Sequence, residues 1–316
     1  MTEVIVVGGG PAGLSAALTL GRAHRRTLVL DSGQGRNAPA DAVHNFFTRD
    51  GTPPAEVRSI AREQLTAYPT VEVRDAEAVS AERLADGEGF VVRLADGTEE
   101  RAKRLLMAGG LVDHLPAIGG VEALWGHSVF HCPYCHGFES SGKPIAVIGG
   151  EPDRIRLALH LSRFSGDVVL CTDGPAEIPP PLADALREAG VAVRAERVTR
   201  FEATGDKLEA VAFAEGDPIP RDAAFVRSTW TQRSPLPGQL GCATFPDNTV
   251  EISEFHQTSV PGVYAAGDMA RRATVPIPLA AVVAAAASGT VAASVLDQDL
   301  IGDDFGLPNP FAPKEK

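Results

Sequence analysis

One seven-residue stretch of the chain carries side chains capable of redox chemistry. It reads His131-Cys132-Pro133-Tyr134-Cys135-His136-Gly137, which places two thiols three positions apart. Four interpretations compete: a c-type haem attachment motif, part of a zinc site, two inert cysteines, or a redox dithiol. Haem attachment normally follows export, for which we expect no signal in this chain, and a zinc site needs further ligands. The spacing therefore favours a redox dithiol.

The mechanism of such a pair follows from thiol ionisation. A thiolate is the reactive form, and a Cys-x-x-Cys pair at the start of a helix has a thiol pKa below the free value of about 8.5. His136 follows Cys135 directly, and a histidine ordinarily titrates near neutrality. We therefore expect Cys132 and Cys135 to react and His136 to relay the proton that disulfide exchange releases or consumes.

A glycine-rich loop near the start of the chain predicts a dinucleotide site. Gly8, Gly10 and Gly13 match the Gly-x-Gly-x-x-Gly pattern, between an apolar run that predicts a buried strand and a segment that predicts a helix. The N-terminus of that helix offers amide donors to a pyrophosphate. Asp31 ends the next apolar run, 18 residues after Gly13, where a carboxylate accepts hydrogen bonds from ribose hydroxyls.

The elements that position these residues form two similar units. A second strand and glycine turn, Ile145-Ala146-Val147-Ile148-Gly149-Gly150, begins about 140 residues after the first. Residues 154–164 then predict a helix and 168–170 another strand. A β-hairpin over 90–105 turns at Asp96-Gly97. The expected fold class is α/β, with two Rossmann-like domains of the dinucleotide-binding type built on parallel sheets.

Composition excludes several function classes. The 316 residues are 44% hydrophobic and 22% charged, which excludes collagen-like and disordered chains. A net charge of −12 disfavours nucleic acid as a partner, because phosphate contacts need clustered cations. Four cysteines are too few for a disulfide scaffold, so we expect a reducing, cytoplasmic location and interpret Cys171 and Cys242 as buried small residues.

Two apolar stretches raise the question of a membrane or export segment. Residues 2–20 have no basic leader and are interrupted by glycines, so we expect no signal peptide. The uncharged run 273–296 has sufficient length to span a bilayer, but it opens with two prolines and consists largely of alanine. A buried helix is favoured there, and we expect no membrane partner.

The motifs together resemble the low-molecular-weight thioredoxin reductases over nearly the whole chain. The resemblance rests on the first glycine loop, the Cys-x-x-Cys pair, and the segment Thr-Ser-Val-Pro-Gly-Val-Tyr-Ala-Ala-Gly-Asp at 258–268. It implies FAD as cofactor, a homodimer, and an FAD domain made of residues 1–114 and 245–316. The domain inserted between them, 115–244, would carry the cysteines, with Cys135 facing the flavin and Cys132 meeting the substrate.

The same resemblance implies which residues hold FAD. Asp268 would contact the ribitol, and Ala108-Gly109 would lie near the adenosine. The turn at Pro278-Leu279-Ala280 would direct amides at the flavin ring, which Arg36, Asn37 and Asn45 would border. No metal is expected. The full set of expected cofactor residues is Gly8, Gly10, Pro11, Ala12, Gly13, Asp31, Ser32, Arg36, Asn37, Asn45, Ala108, Gly109, Gly267, Asp268, Pro278, Leu279 and Ala280.

The second glycine loop departs from the thioredoxin reductase pattern. That family has a glycine triplet here and an arginine pair after the next strand, for NADPH. This chain instead has Glu151 and Pro152, and Cys171-Thr172-Asp173-Gly174 follows the strand. Glu151 places a carboxylate where a pyrophosphate would lie, and Pro152 removes an amide donor. We therefore expect the inserted domain to have lost its nicotinamide site.

Without a nicotinamide donor, electrons would run from a dithiol to the flavin and on to oxygen. That direction and the Cys-Pro-Tyr-Cys-His-Gly motif resemble the dithiol oxidases of gliotoxin and holomycin (antibiotic) biosynthesis. The resemblance implies a small-molecule dithiol substrate, closed to an intramolecular disulfide, with hydrogen peroxide as product. Trp125, Phe138 and Trp230 are candidate walls of an apolar substrate cleft. A thioredoxin reductase-like enzyme with NAD(P)H or another electron donor, and a non-catalytic redox sensor, remain as alternatives.

Overall fold

A computed structural model describes residues 2–85 and 87–311 of the chain. The strands are β1 (Thr2–Val7), β2 (Thr27–Asp31), β3 (Val71–Asp75), β4 (Ala78–Arg83), β5 (Phe90–Leu94), β6 (Glu99–Met107), β7 (Leu111–His114), β8 (Val129–Phe130), β9 (Ile145–Ile148), β10 (Val168–Cys171), β11 (Ala192–Arg194), β12 (Val198–Thr204), β13 (Lys207–Phe213), β14 (Ile219–Pro220), β15 (Ala223–Phe225), β16 (Thr229–Gln232), β17 (Val250–Glu251), β18 (Val263–Ala265) and β19 (Ala270–Arg271). The helices are α1 (Pro11–Arg22), α2 (Pro54–Leu65), α3 (Val121–Leu124), α4 (Pro133–His136), α5 (Pro152–Leu161), α6 (Pro180–Glu188), α7 (Leu236–Gln239) and α8 (Val282–Phe305).

The chain forms two compact units, whose bounds differ from the predicted domains at residues 39–53, 113–114 and 230–244. The first unit comprises Met1–Ala38, Pro54–Val112 and Trp230–Lys316, and the second comprises Pro39–Pro53 and Asp113–Thr229. Residues 39–53 thus join the unit that carries the cysteines, and residues 230–244 join the other. The sequence offers no composition shift at either point.

The first unit is built on a mixed sheet that contains the first βαβ motif. Within the described residues its strand order is β3-β2-β1-β6-β5-β4, with β18 also pairing β6. Strands β1, β2, β3, β6 and β18 run parallel, and β4 and β5 form the antiparallel part. The predicted hairpin over 90–105 is confirmed as the antiparallel pair β5–β6.

Both faces of this sheet are covered, as the uninterrupted apolar run in β1 predicts. Val4 and Val6 pack into the core cluster that holds α1 and α8, whereas Ile5 and Val7 pack into the cluster on the opposite face. Helix α8 contains most of the alanine-rich run and contributes buried residues to the first of these clusters, so a buried helix there is confirmed. In the part of the chain that the structure describes, no helix combines the length and apolarity needed to cross a membrane.

The second unit contains the second βαβ motif. Its parallel sheet has the order β11-β10-β9-β15-β8, and a separate antiparallel sheet has the order β12-β13-β14. Strand β9 is fully buried, and helix α5 follows it after the glycine turn. The expected α/β class with parallel sheets in both units is confirmed.

Candidate active site

The first glycine loop connects β1 to α1 and leaves an open cradle at the helix N-terminus. Gly8 has φ +115°, and a Cβ there would overlap the carbonyl group of Ala108. A Cβ on Gly13 would overlap the carbonyl oxygen of Gly8, so this glycine lets the helix pack closely on the loop. Gly10 is different, because a Cβ there would meet nothing within 4 Å. That open space is where a pyrophosphate approaches the backbone in such motifs.

Asp31 lies at the end of β2 against the same loop. Its side chain is 7% exposed, and a Cβ on Gly9 would overlap its carboxylate. Asp31 accepts a hydrogen bond from the backbone N–H of Gly33 at 2.9 Å. Arg58 and Arg62 of α2 approach its Oδ2 at 3.3 and 3.7 Å. These arginines orient the carboxylate, and their positions on a distant helix gave no signal in the sequence.

The Gly267-Asp268 turn also lies at the N-terminus of α1. The backbone N–H of Gly267 donates to Ser288 Oγ of α8 at 2.8 Å, and a Cβ on Gly267 would lie 3.1 Å from the Cβ of Ala12. Arg36 Nη1 binds Asp268 Oδ2 at 2.8 Å, although 232 positions separate the two residues. The first unit therefore holds four of the residues predicted to bind the cofactor: Gly10, Ala12, Arg36 and Asp268.

The remaining predicted cofactor residues are placed as follows. Ala108 contacts the first loop, Ser32 is exposed, and Asn37 is partly buried near Gly35. In the Pro278-Leu279-Ala280 turn, Pro278 is buried and Leu279 is exposed. Asn45 belongs to the second unit, where its side-chain amide donates to the carbonyl oxygen of Tyr134. Its predicted place beside the flavin stays a prediction.

The two cysteines of the motif form a disulfide at the start of a short helix. Cys132 is the N-cap of α4 and bonds to Cys135, with the two Cα atoms 5.3 Å apart. The backbone N–H groups of Cys135 and His136 both point at the carbonyl oxygen of Cys132, at 3.3 and 3.2 Å. Both cysteines are partly exposed, whereas Tyr134 between them is 72% exposed. The local geometry that the motif predicts is therefore present.

His136 does not titrate near neutrality, and that expectation is wrong. Its ring stacks on Phe130 with ring centroids 4.2 Å apart, and its Nε2 is buried without a hydrogen-bond partner among the described residues. Burial, followed by the nearby His131 and His44, lowers the pKa of His136 to about 4. The imidazole is consequently neutral at physiological pH and offers no proton.

The predicted apolar walls separate into core and surface residues. Trp230 packs in the core of the first unit, and its indole N–H donates to the carbonyl oxygen of Asp247 at 3.1 Å. Trp125 packs against a core of the second unit and stacks on His131. Phe138, in contrast, is 78% exposed three residues after Cys135. Phe47, which the sequence analysis did not single out, is 79% exposed on the segment 39–53 of the same unit.

In the second glycine loop, the side chains of Glu151 and Arg154 lie against the first glycine of the turn, where the first loop has the backbone carbonyl of Ala108. Gly149 has φ +117°, and a Cβ there would lie 2.7 Å from both Glu151 Oε2 and Arg154 Cγ. Arg154 is held in place by Asp153 at 3.1 Å and by the carbonyl oxygen of Val226 at 3.3 Å. Two side chains therefore fold over the turn at the N-terminus of α5.

A position-by-position comparison of the two loops changes one part of the sequence argument. Gly8 and Gly149 both follow a strand and share a positive φ, and Pro11 and Pro152 both open the helix that follows. Because the open first loop has a proline at the same place, Pro152 does not itself exclude a nucleotide. The differences lie at Glu151 and Arg154, where the first loop has Gly10 and Gly13, and at Asp153, where it has Ala12.

The other two cysteines lie outside the site, and the structure offers no metal centre among the described residues. Cys171 and Cys242 are free and buried, as expected, and burial raises the pKa of Cys171 to about 12. Neither thiol is positioned to react. In residues 2–85 and 87–311 there is no cluster of three or more His, Cys, Asp or Glu side chains that could hold a metal.

Two nucleotide-type units, one with an open pyrophosphate cradle and the other with a Cys-x-x-Cys disulfide, define a flavin-dependent disulfide oxidoreductase. Comparison with known proteins agrees. The chain matches the pyridine nucleotide-disulphide oxidoreductase family over residues 2–289 and belongs to that family. It uses FAD, and the open space at Gly10 beside Asp31 and Asp268 fits that cofactor.

Similar proteins extend over nearly the full length of the chain. Thioredoxin reductase tcpT of Claviceps purpurea is 33% identical over 320 residues, covering 98% of each chain. The solved structure of HlmI is 36% identical with a TM-score of 0.88, covering 96% of this chain and 94% of that one. An oxidoreductase from Agrobacterium tumefaciens is 33% identical with a TM-score of 0.87, covering 95% and 99%. The expected resemblance to thioredoxin reductase-like enzymes is confirmed.

Proposed function

We propose that this chain is an FAD-dependent dithiol oxidase that closes an intramolecular disulfide in a small-molecule dithiol. Oxygen is the electron acceptor and hydrogen peroxide the product. The observation that carries the proposal is the second glycine loop, where Glu151 and Arg154 occupy the turn that would receive a pyridine nucleotide. An enzyme of this family without a nicotinamide donor needs another source of electrons, and a dithiol supplies them.

The space argument supports the proposal more strongly than the charge argument. Glu151 is 53% exposed, and Arg227 lies 3.6 Å from its carboxylate, so its repulsion of a pyrophosphate is partly offset. Arg154 is 14% exposed and is anchored by two polar contacts. A nucleotide would have to displace this anchored side chain before its phosphates could reach the backbone amides of α5.

The residues of the disulfide site perform the exchange steps. A substrate thiolate attacks Cys132 Sγ, the Cys132–Cys135 bond breaks, and Cys135 leaves as a thiolate. The second substrate thiolate then attacks the substrate sulfur of the mixed disulfide, which releases Cys132 as a thiolate and the oxidised product. Bound FAD would supply the two-electron acceptor for the reduced cysteine pair, with oxygen as the final acceptor, so that the Cys132–Cys135 disulfide can re-form.

The surface around the disulfide supports a small apolar substrate. Tyr134, between the two cysteines, is 72% exposed, and Phe138, three residues after Cys135, is 78% exposed. Phe47 is exposed on the segment whose Asn45 donates to the Tyr134 carbonyl oxygen. A folded chain ordinarily buries large aromatic rings. Rings that stay exposed next to a reactive group are therefore typical of ligand sites. We also expect the chain to act as a cytoplasmic homodimer, as the thioredoxin reductases do.

The second candidate is a disulfide reductase that runs in the opposite direction. It is favoured by the name of one relative, thioredoxin reductase tcpT, which is similar over its whole length. A reductase needs a donor such as NADPH to reduce the flavin, whereas an oxidase does not. The response to NADPH in the absence of oxygen therefore separates the two.

The test uses the purified, FAD-loaded protein with dithiothreitol as the dithiol probe. In air we expect oxygen uptake and hydrogen peroxide in equal amounts, both independent of NADPH. Without oxygen, NADPH should leave the flavin absorbance unchanged and dithiothreitol should bleach it. Cys132→Ser should abolish multiple-turnover oxidation of the dithiol. A redox sensor, in contrast, would show no multiple turnovers even in the wild-type protein. Rapid bleaching by NADPH would overturn the proposal in favour of the reductase.

A further inference from the structure

Disulfide exchange in this site needs a proton acceptor, and His136 is unsuited to the role. A substrate thiol must lose its proton before its sulfur attacks Cys132, because the thiolate is the nucleophile. The Nε2 of His136 is buried without a hydrogen-bond partner among the described residues, and its ring stacks on Phe130. The substrate thiol reaches the disulfide from solvent, and a buried ring nitrogen cannot take its proton. The proton acceptor therefore has to be a residue other than His136.

A second histidine, His44, lies close to α4, the helix that carries the disulfide. A carboxylate lies near each of its two ring nitrogens. His44 Nε2 lies 3.4 Å from Glu139 Oε1, and His44 Nδ1 lies 3.7 Å from Asp50 Oδ1. Glu139 follows Cys135 by four residues. The His44 side chain is 19% exposed, so it is shielded without being closed to solvent. The two carboxylates orient the ring, and an imidazole is a common proton acceptor in enzymes.

The backbone around His44 is attached to the cysteine motif itself. Asn45, the next residue, donates its side-chain amide to the carbonyl oxygen of Tyr134, between the two cysteines. The backbone N–H of Asn45 is in turn bonded to Asp50 Oδ1 at 2.8 Å, the same oxygen that faces His44. One carboxylate thus positions both the loop and the ring. His44 is also close enough to His136 to disfavour its protonation.

We propose that His44, held between Glu139 and Asp50, is the base that takes the proton of the first substrate thiol. This inference rests on the proposed function only in naming a dithiol as the substrate. The S–H bond breaks and the proton moves to the imidazole. The resulting thiolate forms a bond to Cys132 Sγ, and the electron pair of the Cys132–Cys135 bond leaves on Cys135 Sγ. The imidazolium then returns its proton to water.

The charged groups around His44 favour this step. Glu139 and Asp50 face its ring from the two sides, on the loop after α4 and on the loop 39–53 respectively. His136 is neutral, and Asp41 of the same loop, which also acts electrostatically on His136, pairs with His127 at 3.1 Å. Glu139 and Asp50 are therefore the carboxylates that lie within 4 Å of the imidazole among the described residues.

Thiol ionisation sets the size of the effect. A free thiol with a pKa of about 8.5 is about 3% ionised at pH 7, so a base that removes its proton accelerates the attack by at most about 30-fold. Above about pH 9 the thiol ionises without help and the advantage disappears. A base therefore leaves a pH-dependent defect when it is removed, whereas a structural residue leaves a constant one.

The experiment measures reduction of the Cys132–Cys135 disulfide by dithiothreitol in the FAD-loaded protein without oxygen. Because the reduced pair passes electrons to FAD, reduction is counted from pH 6 to 10 as cysteines alkylated in an iodoacetamide quench together with bleached flavin. We expect His44→Gln to react more slowly than wild type at pH 7, by up to about 30-fold, and to approach the wild-type rate above about pH 9. His127→Gln, which removes another histidine paired with a carboxylate in this unit, should match wild type throughout.

A second variant keeps the inference testable if His44→Gln is poorly folded. Glu139→Gln retains the imidazole and removes one stabilising charge, so we expect a smaller defect with the same pH dependence. A defect in either variant that is constant from pH 6 to 10, or no defect at pH 7, overturns the inference. The assay follows thiols and needs neither oxygen nor NADPH. Its failure is therefore distinct from failure of the proposed oxidase activity.

Discussion

Restoring the second glycine loop should restore nucleotide binding. The perturbation is Glu151→Gly, alone and combined with Arg154→Ala, which gives this loop the glycine that the first loop has at Gly10. In the present structure both side chains lie 2.7 Å from the Cβ position of Gly149. Their removal opens the turn, and the amides at the start of α5 then face solvent, as those of α1 do.

The magnitude follows from charge and exposure. Two like charges about 4 Å apart repel by about 1 kcal/mol in water and about 4 kcal/mol near a protein surface. Because Glu151 is 53% exposed and Arg227 lies 3.6 Å away, the lower value applies. Glu151→Gly should therefore tighten NADPH binding about fivefold, since 1.4 kcal/mol corresponds to a tenfold change in Kd. The double variant should gain more, because the anchored Arg154 side chain also leaves the turn.

The assay is a calorimetric titration of the FAD-loaded variants with NADPH, followed by anaerobic mixing to detect flavin bleaching. Glu151→Gln is the matched control, because it removes the charge and keeps the bulk. It should recover the electrostatic part of the gain but not the part that depends on space. Wild-type binding in the micromolar range, or a double variant that binds no more tightly than wild type, would refute the reasoning.

Three further predictions concern cofactor binding and acid stability. Gly10→Ala should weaken FAD binding at least about tenfold without changing the Tm of the FAD-free protein, because its Cβ meets only open space. Gly13→Ala should lower the Tm, because its Cβ overlaps the Gly8 carbonyl oxygen. Asp268→Ala should weaken FAD binding about 10- to 100-fold in a fluorescence titration of apoprotein, the size expected for a lost hydrogen bond to a charged group, with Asp268→Asn as a milder control. The pKa of His136, lowered by burial from 6.5 to about 4, means that the unfolded state binds more protons between these values. Denaturant unfolding should therefore show stability lost as the pH falls from 6.5 to 4, by at most about 3 kcal/mol, and His136→Phe should lose less.

Each of these predictions has a result that contradicts it. Equal FAD affinity in wild type and Gly10→Ala would show that the cradle at Gly10 does not receive the cofactor. Full FAD occupancy in Asp268→Ala would remove Asp268 from the cofactor site. An unchanged acid profile in His136→Phe would mean that His136 is not the buried base responsible.

Local motifs carried much of the sequence analysis because they specify their own geometry. The run Val4–Val7 with its glycines predicted β1, the turn and α1, and the pattern repeated at β9 and α5. A Cys-x-x-Cys pair brings two thiols within disulfide reach through backbone geometry alone, and the structure places their Cα atoms 5.3 Å apart. Elements of this kind depend on residues that are neighbours in the chain.

Features that depend on contacts between residues distant in the chain were harder to predict from the sequence. Arg36 and Asp268 were each assigned to the cofactor site through family resemblance, but their ion pair, across 232 positions, was not predicted. The loop 39–53 joins the cysteine-bearing unit although its sequence lies within the first βαβ region, and His44 and Phe47 passed unnoticed for that reason. Pro152 was given weight as a lost amide donor, but Pro11 holds the matching place in the open loop.

The sequence by itself determined the class of chemistry: two thiols in one motif, one glycine loop fit for a dinucleotide and a second that departs from the pattern. Only the tertiary structure decided the proton chemistry and the filling of the second loop. Burial lowers the pKa of His136 to about 4, and carboxylates from two separate loops meet at His44. Ionisation depends on solvent and on charges brought together by folding, and neither can be read from the order of residues along the chain.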